Sequence, residues 1–584
     1  MDARVAPSPA NETAAEPATG VLTGALKAWG LAIVALSAIG VAGTFLARPR
    51  SITDYFFYQQ DLIGAGVALI LFAVLIVVAG SRREAPEVAA KVGGPRLVLA
   101  VALAVVLVCW AGSHLLFDDY PASADEFLAL FDAKILGSGR LAAPLPAEWR
   151  GFADALQPVY LSPAGEAHWV SFYLPVNAGF LAIAAKLGVQ SLMPALWAGV
   201  AVVAAFGVAR RLWPELRSAA PIAALMIATS PQVLLTAMTP FAMSAHLAAN
   251  LVWLWLILRG GRLGHALAMA VAFLATGIHQ IIFAPLFAAP FVLEMWLARR
   301  WRVALLHTAA FAAILAFWNF YPAMRLAIVE PGVAHPAGHG AETAVDQALA
   351  MLARFDLGAF EVMAKNLVRF ATWQSLLTIP MALVAAPAAW RAGGPMRALV
   401  VGLLLTGTVM FLLSPFQAHG WGYRYFHGLI GSVALLGAWG WSRMFASAPE
   451  AAKARAAAVV ATAFAASALA LTPLRAVQAH EFIAPYAQAA EKLHRAADEV
   501  VIVDDTGMWY GQVLVRNDPF LARPVMLYLP HLTAEQVRRV CTRHEVRIYG
   551  GERIGAVNVT YVAPTLHVAA LRKLMSELGC DQRL

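Results

Sequence analysis

Long apolar stretches, separated by short polar connections, occupy most of the chain. A membrane-spanning helix needs about 20 mostly apolar residues, and a scan with that length finds about thirteen such stretches. They cover residues 26–46, 62–80, 97–117, 191–209, 219–238, 241–258, 263–282, 283–297, 303–324, 370–390, 396–413, 429–443 and 456–474. The pattern predicts an α-helical polytopic membrane protein, with residues 21–474 as its transmembrane domain.

The composition agrees with a lipid environment. Hydrophobic residues make up 60% of the chain and charged residues only 13%, against roughly 25% charged residues in ordinary globular proteins. The formal net charge of +8 would suggest nucleic-acid binding in a soluble protein. Here the arginines lie between apolar stretches, where they act as orientation signals, so nucleic acid is not an expected partner.

Arginine and lysine in alternate connections give the predicted orientation, because positive charge near helix ends stays in the cytoplasm. Arg210 and Arg211 are examples. The alternation requires that the apolar stretch 172–187 does not cross the membrane. Its Pro175 and Asn177 favour a helix that lies in the membrane interface. The N-terminus, with residues 1–20 as a disordered tail, is then predicted to be cytoplasmic.

This topology places most polar segments on the opposite, outward face. They are two long loops, residues 118–190 and 328–369, the short segment 414–427, and the C-terminal region 475–584. If the protein is bacterial, the membrane is the inner membrane and the outward face is periplasmic. Any chemistry is therefore expected on that face.

The C-terminal region has a different period from the rest of the chain. Short β-like runs occur at residues 499–505, 524–529 and 546–551, and a helical pattern lies between the last two, at residues 533–544. Thr533 is the predicted N-cap of this helix. The pattern predicts a small α/β domain at 475–584. Cys541 and Cys580 both fall in it, and whether they form a disulfide is left open by their spacing.

Acidic residues follow the third apolar stretch: Asp118, Asp119, Asp125 and Glu126. One interpretation is that headgroup water simply solvates them. The other is that one of them is a general base, because a carboxylate within hydrogen-bond reach can remove a hydroxyl proton. Asp125 is the preferred base, since the apolar residues between 127 and 131 predict a short amphipathic helix that holds it against the membrane face. Asp119 is a further polar candidate.

Three short pieces of sequence then stand out: Asp125-Glu126-Phe127-Leu128, AKILGSGRL at 133–141, and VARRLWPELR at 208–217. In these pieces and their order the chain resembles the GT-C class of membrane glycosyltransferases, which includes the protein O-mannosyltransferases and the lipid A aminoarabinose transferase. The resemblance implies a GT-C-like fold and an acid of the first outward loop as catalytic base, which is Asp125 here, with Glu126 beside it. It also implies a polyprenyl-phosphate-linked sugar as the donor.

The chain departs from this class at two points. Two predicted spanning helices precede the one that leads to the acidic loop, where many members have one. Where many members carry an Asp after the second pair of long helices, this chain reads TPFAMSAH, with Ser244 and His246.

The segment AHGWGYRYFHG, at 418–428, is a second candidate site. It contains His419, Tyr423, Arg424 and His427. Aromatic residues at a bilayer boundary are ordinary, and that is one interpretation. However, an arginine with two histidines is suited to hold a phosphate, because guanidinium binds phosphate bidentately and imidazole adds a donor. We therefore predict that the segment binds the phosphate of a lipid-linked sugar donor.

Further cations lie on the outward loops. Lys134 and Arg140 in the first loop are candidates to assist Arg424 in binding the donor phosphate, and Lys365 and Arg369 in the second loop are additional charges on that face. Such residues also commonly face lipid headgroups.

His279 and Gln280 are polar candidates near the outward end of the seventh stretch. A single histidine at a helix end is usually a structural hydrogen-bonding residue. His246, on the same face, raises the alternative of a polar site. Metal binding is an alternative role for four histidines, His246, His279, His419 and His427. They come from separate parts of the chain, with a close spacing only between the last two, so no metal is assigned.

The main functional hypothesis is an inverting glycosyltransferase that moves a sugar from a polyprenyl-phosphate carrier to a hydroxyl of a glycan, lipid or protein. The donor is a substrate, no cofactor is predicted, and membrane lipids surround the chain. A transporter or flippase is an alternative, but carriers place ionisable residues near the bilayer midplane, whereas the groups here are mostly neutral, such as Asn250 and Asn319. A non-catalytic assembly protein is the other alternative.

Overall fold

The structure is a computed structural model. It describes residues 16–46, 51–81, 94–156, 161–163, 167–331, 344–353, 355–496, 499–508, 510–550 and 563–584. Most of the predicted N-terminal tail, residues 1–15, lies outside the described residues, and the first helix among the described residues begins at Glu16.

Apolar helices dominate the structure. In the described ranges, seven are long and apolar enough to cross a membrane: Thr19–Leu46, Ile52–Gly80, Pro95–Leu115, Leu192–Leu212, Trp301–Val329, Gly394–Leu413 and Glu450–His494. Shorter apolar helices lie between them: Val176–Lys186, Ala219–Ala228, Met243–Arg259, Gly261–Thr276 and Phe283–Leu297. Further helices are Gly358–Thr372, Thr378–Ala392 and Ile430–Phe445. The protein is therefore a multi-pass membrane protein, as predicted.

One predicted span is divided in two. Residues 219–238 form the helices Ala219–Ala228 and Pro231–Thr236. The break falls at Ser230, whose side chain accepts a hydrogen bond from the N–H of Val233 at 3.4 Å. Pro231 has no N–H with which to continue the preceding helix, but its fixed φ suits the first position of a new one.

Small residues let the helices approach closely in the centre of the bundle. Helix Leu192–Leu212 packs on Pro95–Leu115 at Gly199, where a Cβ would lie 2.6 Å from Val106. Such residues are typical of helix interfaces in membranes. Large apolar side chains instead cover the outer surface. Leu31, for example, is 71% exposed, as expected for a side chain that faces lipid.

A buried ionic group joins three helices inside the bundle. Asp61, in a π-helical turn, accepts a hydrogen bond from Nε of Arg369 at 2.8 Å. Arg475 lies beside this pair and donates to the backbone oxygen of Gln60 at 2.7 Å. Asp61, Arg369 and Arg475 are 1%, 3% and 0% exposed. Arg369 was expected among the outward charges, but it is a buried ion-pair partner.

Lys365 forms a second buried group. Its Nζ donates to Asp54 at 2.5 Å and to Thr44 at 2.8 Å, and it also bonds to Glu361. It is 2% exposed, so it too is unavailable at the outer surface. Charges inside the bundle are thus more numerous than the sequence indicated, because helix Ile52–Gly80 begins well before the predicted limit at residue 62 and encloses Asp54.

The first long loop is largely ordered by its own secondary structure. It contains the helix Ala124–Gly137, which we call the loop helix, and three strands, β1 (Ala143–Pro144), β2 (Leu161–Pro163) and β3 (His168–Ser171). The strands form an antiparallel sheet in the order β1-β3-β2. Helix Val176–Lys186, at the place of the predicted interfacial helix, packs on the loop helix.

The predicted C-terminal α/β fold is confirmed. Strands β4 (Val500–Asp504), β5 (Val525–Tyr528) and β6 (Val546–Gly550) form a parallel sheet in the order β5-β4-β6. Helices Ala534–Arg543 and Leu566–Glu577 accompany it. Thr533 caps the first of these helices, as predicted. The preceding helix runs from Glu450 to His494, so it continues through residue 475, where the sequence placed the start of this region.

The C-terminal region packs directly on the first long loop. The indole N–H of Trp169 in β3 donates to the backbone oxygen of Pro519 at 2.8 Å. The side chain of Asn517 donates to the backbone oxygen of Leu156 at 2.6 Å. Phe131 of the loop helix shares an apolar core with strand β5. The two segments therefore pack together as one unit.

A disulfide closes part of this unit. Cys541 and Cys580 are joined, with a sequence separation of 39. Because the cross-link restricts the unfolded chain, replacing both cysteines with serine is expected to lower the stability of the unit by about 4 kcal/mol. Thermal unfolding of the full-length protein in detergent measures this. Reductant should lower the melting temperature of the wild type and leave that of the double variant unchanged; equal effects on both would contradict the prediction.

Candidate functional site

The loop helix carries both predicted catalytic acids in its first turn. At its N-terminus, the side-chain oxygen of Ser123 accepts the N–H of Glu126, and the carboxylate of Glu126 accepts the N–H of Ser123. This capping box supplies partners to N–H groups that the helix itself leaves unpaired. It fixes the first turn and, with it, the position of Asp125.

Asp125 is held by two side chains from distant parts of the chain. The hydroxyl of Tyr173 donates to Oδ1, and Nη1 of Arg424, 299 residues along the chain, donates to Oδ2 in an ion pair. Asp125 is 9% exposed. Burial raises the pKa of its carboxyl, but the charge of Arg424, the neighbouring His279 and the two hydrogen bonds outweigh burial and hold the pKa below its ordinary value.

Tyr173 is positioned by the strand that precedes it. The N–H of Ser171, at the end of β3, donates to Asp132 of the loop helix at 3.1 Å, and the hydroxyl of Ser171 accepts the N–H of Tyr173 at 3.0 Å. The ring of Tyr173 stacks on His279, with the ring centroids 4.0 Å apart. Asp132 is buried, which raises the pKa of its carboxyl to about 6. The sequence analysis assigned no role to Tyr173 or Asp132.

Arg424 lies in a tightly packed turn. Its N–H donates to Oε1 of Gln417 at 2.9 Å, and its guanidinium carbon lies 5.3 Å from the ring centroid of Tyr425. Gly422 has a φ of +72°, and a Cβ there would lie 2.5 Å from Gln232, so only glycine fits. Nε of Arg424 is buried and has no hydrogen-bond partner among the described residues.

The predicted histidines lie buried around this ion pair. His279 and His419 interact electrostatically with Asp125 and Arg424, and His246 interacts with His279 and His427. These histidines, His246, His279, His419 and His427, have no hydrogen-bond partner for either ring nitrogen among the described residues.

The hydroxyl of Tyr423, in the same turn as Arg424, is also buried without a described partner. Most buried polar groups in proteins are hydrogen-bonded. Their concentration near Asp125 and Arg424 makes this group of residues the candidate functional site. In the described ranges, no three His, Cys, Asp or Glu side chains are grouped as metal ligands.

Glu126 is completely buried behind Asp125. Its Oε2 accepts the N–H of Ser123 at 2.6 Å and the hydroxyl of Ser123 at 2.8 Å. Burial raises the pKa of the Glu126 carboxyl to about 7, although hydrogen bonds from Ser123 and Thr239 and the charge of Arg516 favour the ionised form.

A raised carboxyl pKa predicts how stability depends on pH. The folded protein favours the neutral form of Glu126, whereas the unfolded chain ionises it at the ordinary pKa of 4.5. The free energy of unfolding of the wild type therefore falls as the pH rises from 4.5 to about 7. Glu126→Gln removes this pH dependence and keeps the cap. The stability of the variant relative to wild type is therefore expected to increase by about 3 kcal/mol across this window. Melting temperatures of both proteins at about pH 4.5 and about pH 8 test it, and a constant difference would contradict it.

The remaining predicted residues lie elsewhere. Lys134 is in the last turn of the loop helix, about 13 Å further along it than Asp125 and on the opposite face. It is exposed and pairs with Asp518 at 3.0 Å. Arg140 is exposed and lies 5.7 Å from the ring centroid of Phe520. The structure therefore does not bring either cation to Arg424.

Asp119 and Gln280 are also outside the central group. Asp119 is half exposed and bonds to His114 at 2.6 Å. Gln280 is half-buried, in the turn that follows His279.

The C-terminal region supplies residues that the sequence did not assign to the site. Tyr510, in the connection after β4, has a φ of +64°. This left-handed conformation brings its ring centroid to 6.5 Å from that of His419. Arg516 lies with its guanidinium carbon 4.0 Å from the ring centroid of Tyr120, next to the loop helix. Only the packing of the C-terminal region on the loop helix reveals these contacts.

No protein-family model matches the sequence, and no curated protein matches it significantly. Among solved structures, the chain is similar to ArnT from Cupriavidus metallidurans bound to undecaprenyl phosphate, with a TM-score of 0.47 and 12% identity over 83% of this chain and 89% of that chain. The apo state of that protein gives a TM-score of 0.46 and 13% identity over the same shares.

Proposed function

We propose that the protein is an inverting glycosyltransferase that moves a sugar from a polyprenyl-phosphate carrier to a hydroxyl acceptor. The observation that carries this proposal is the buried Asp125–Arg424 pair, surrounded by histidines that have no described hydrogen-bond partner. It combines a carboxylate that can accept a proton with a guanidinium that can bind a phosphate. A site of this kind within a multi-pass membrane protein suits a substrate that is polar at one end and lipid at the other.

In the proposed reaction Asp125 is the general base. It accepts the proton of the acceptor hydroxyl while the oxygen attacks the anomeric carbon of the donor sugar. The bond from that carbon to the phosphate oxygen breaks, and the phosphate leaves with the electron pair. Attack from the side opposite the phosphate inverts the configuration at the anomeric carbon. Tyr173, bonded to the other carboxylate oxygen, keeps Asp125 in the required orientation.

Arg424 has two roles in this proposal. Before substrate binds, it pairs with Asp125 and lowers the pKa of that carboxyl. Its buried Nε, without a described partner, is a donor available to a phosphate oxygen. A bound phosphate then competes with Asp125 for the guanidinium, which weakens the ion pair and makes Asp125 a stronger base. In the transition state Arg424 stabilises the charge that develops on the leaving phosphate.

The orientation is part of the proposal. Positive charge in alternate connections supports a cytoplasmic N-terminus and a site on the periplasmic face of an inner membrane. The joined Cys541 and Cys580 support this, because disulfides persist in oxidising compartments.

The buried charges of the helix bundle bear on the transporter alternative. Hydrogen bonds between different helices hold three of these charged side chains, Asp61, Lys365 and Arg475. Such contacts are suited to hold helices together. A carrier instead requires ionisable groups that exchange partners during transport, so the network favours a structural role.

Arg424→Gln tests the phosphate site. The affinity for farnesyl phosphate, a short soluble polyprenyl phosphate, is expected to fall by about tenfold or more, because hydrogen bonds between charged groups are lost. Binding is measured by microscale thermophoresis with the full-length protein in lipid nanodiscs. Farnesol, which has the same tail without the phosphate, is the ligand control. Arg543→Gln, an exposed residue at the end of helix Ala534–Arg543, is the matched charge control.

Loss of farnesyl phosphate binding in Arg424→Gln, with binding retained in Arg543→Gln, supports the phosphate role of Arg424. Equal affinity of wild type and Arg424→Gln for farnesyl phosphate would exclude a role of Arg424 in donor binding. Equal affinity of the wild type for farnesyl phosphate and farnesol would exclude a phosphate-binding site.

A further inference from the structure

A cavity of about 1000 Å³ lies between the first loop and the C-terminal region. Its walls come from the loop that precedes the loop helix, the outer face of that helix, the end of helix Glu450–His494, and residues 516–526. Neither Asp125 nor Arg424 is among its lining residues. The cavity is therefore separate from the proposed donor-phosphate position.

Most charges that line this cavity are paired at its rim. Lys134 bonds to Asp518 at 3.0 Å, and His114 bonds to Asp119 at 2.6 Å. Arg495 pairs with Glu491. Water and salt screen solvent-exposed ion pairs of this kind, so each pair contributes little energy.

Arg516 is different from the cations at the rim. It is 6% exposed, and its Nε donates to the backbone oxygen of Val513 at 2.5 Å. Nη1 and Nη2 are buried and have no hydrogen-bond partner among the described residues. The guanidinium carbon lies 4.0 Å from the ring centroid of Tyr120 and 5.6 Å from that of Phe127. Burial lowers the pKa of Arg516, although Tyr120 and Glu126 partly offset this effect.

Tyr120 connects this cavity to a second hollow of about 410 Å³, because it lines both. The second hollow is bounded by Thr239, which interacts with Glu126. The hydroxyl of Tyr120 is buried and has no described partner. Arg516, with two buried nitrogens that have no described partner, and Tyr120 are thus neighbours in the wall of this cavity, close to the first turn of the loop helix.

We propose that this cavity binds the acceptor, and that the acceptor carries an anionic group, a phosphate or a carboxylate, held by Nη1 and Nη2 of Arg516 and the hydroxyl of Tyr120. Guanidinium is suited to this task because its parallel N–H groups match two oxygens of one anion. The inference rests on the proposed function, since it calls the ligand an acceptor. Binding itself requires no turnover.

The test uses glucose 6-phosphate as the anionic probe and glucose as the neutral one, with the full-length protein in nanodiscs of phosphatidylcholine. Wild type is expected to bind glucose 6-phosphate at least about tenfold more tightly than glucose. Arg516→Gln should remove this preference, and Tyr120→Phe, which keeps the aromatic contact to Arg516, should weaken it by about threefold. Arg543→Gln is the matched charge control and should keep the preference.

A second arm separates a soluble acceptor from a lipid one. If nanodiscs that contain phosphatidic acid compete with glucose 6-phosphate in wild type, the anionic group belongs to a lipid; if they do not, it belongs to a soluble molecule. No preference of wild type for glucose 6-phosphate over glucose, or an equal preference in a folded Arg516→Gln variant, would overturn the inference. Anion binding without any sugar transfer would instead count against the proposed function alone.

Discussion

Asp125→Asn is expected to lower the rate of sugar transfer by between about a hundredfold and about ten-thousandfold, the range that a general base contributes. Asparagine has nearly the same shape and keeps an oxygen for Tyr173 or Arg424, the two partners of Asp125. It cannot accept the proton of the acceptor hydroxyl. The measurement is transfer of label from a radiolabelled pool of polyprenyl-phosphate-linked sugars in membranes that contain equal amounts of each protein.

The control is Glu535→Gln, which makes the same chemical change at an exposed position of helix Ala534–Arg543. Its rate should stay within about twofold of wild type, as is usual for surface changes. Normal transfer by Asp125→Asn would exclude Asp125 as the base and direct attention to Glu126 in the same turn. No effect of Asp125→Ala on any function of the protein would favour a non-catalytic assembly role.

Asp61→Asn is expected to destabilise the helix bundle by about 3–5 kcal/mol, because it leaves Arg369 buried without its counter-ion. Asp61 is 1% exposed and bonds to Arg369 at 2.8 Å and to the indole N–H of Trp373 at 3.0 Å. Nearby Arg475 adds a second positive charge to the same region. The melting temperature of the purified protein, followed by size-exclusion chromatography with fluorescence detection, measures the loss.

A double variant separates the loss of the pair from the presence of an unpaired charge. Asp61→Asn combined with Arg369→Met removes both charges, and buried pairs are often replaced by uncharged groups at little cost. The double variant should therefore recover most of the stability that the single variant loses. A single variant as stable as wild type would mean that Arg369 reaches another counter-ion or water when Asp61 is neutral.

The elements of the fold were visible in the sequence because their signals are local. An apolar stretch long enough to cross the membrane identifies a helix without reference to the rest of the chain. In the same way, the short β-like runs after residue 499 identify strands. The cap at Thr533 was predicted correctly for the same reason. Helix limits were less accurate. Helix Ile52–Gly80 extends beyond its apolar core because the bundle supplies partners for the charges at its end.

The acids of the first loop and the segment around Arg424 were recognised as candidates from residue type alone. Carboxylates, arginine and histidine are unusual in so apolar a chain, so composition marks them. Composition does not show which of them meet. Lys134 and Arg140 were grouped with Arg424 in the sequence analysis, but the structure pairs Lys134 with Asp518 and places Arg140 over Phe520.

Residue pattern and composition were enough to predict a multi-pass helical membrane protein with a small α/β region at its C-terminus, and to identify Asp125 and Arg424 as candidates. The packing of the folded chain was needed to show that these two form an ion pair, that Lys365 and Arg369 are buried, and that Arg516 lines a cavity beside Tyr120. The physical reason is that helix formation depends on neighbours a few residues apart. Ion pairs and cavities depend on how distant helices pack, for which a single sequence carries no local signal.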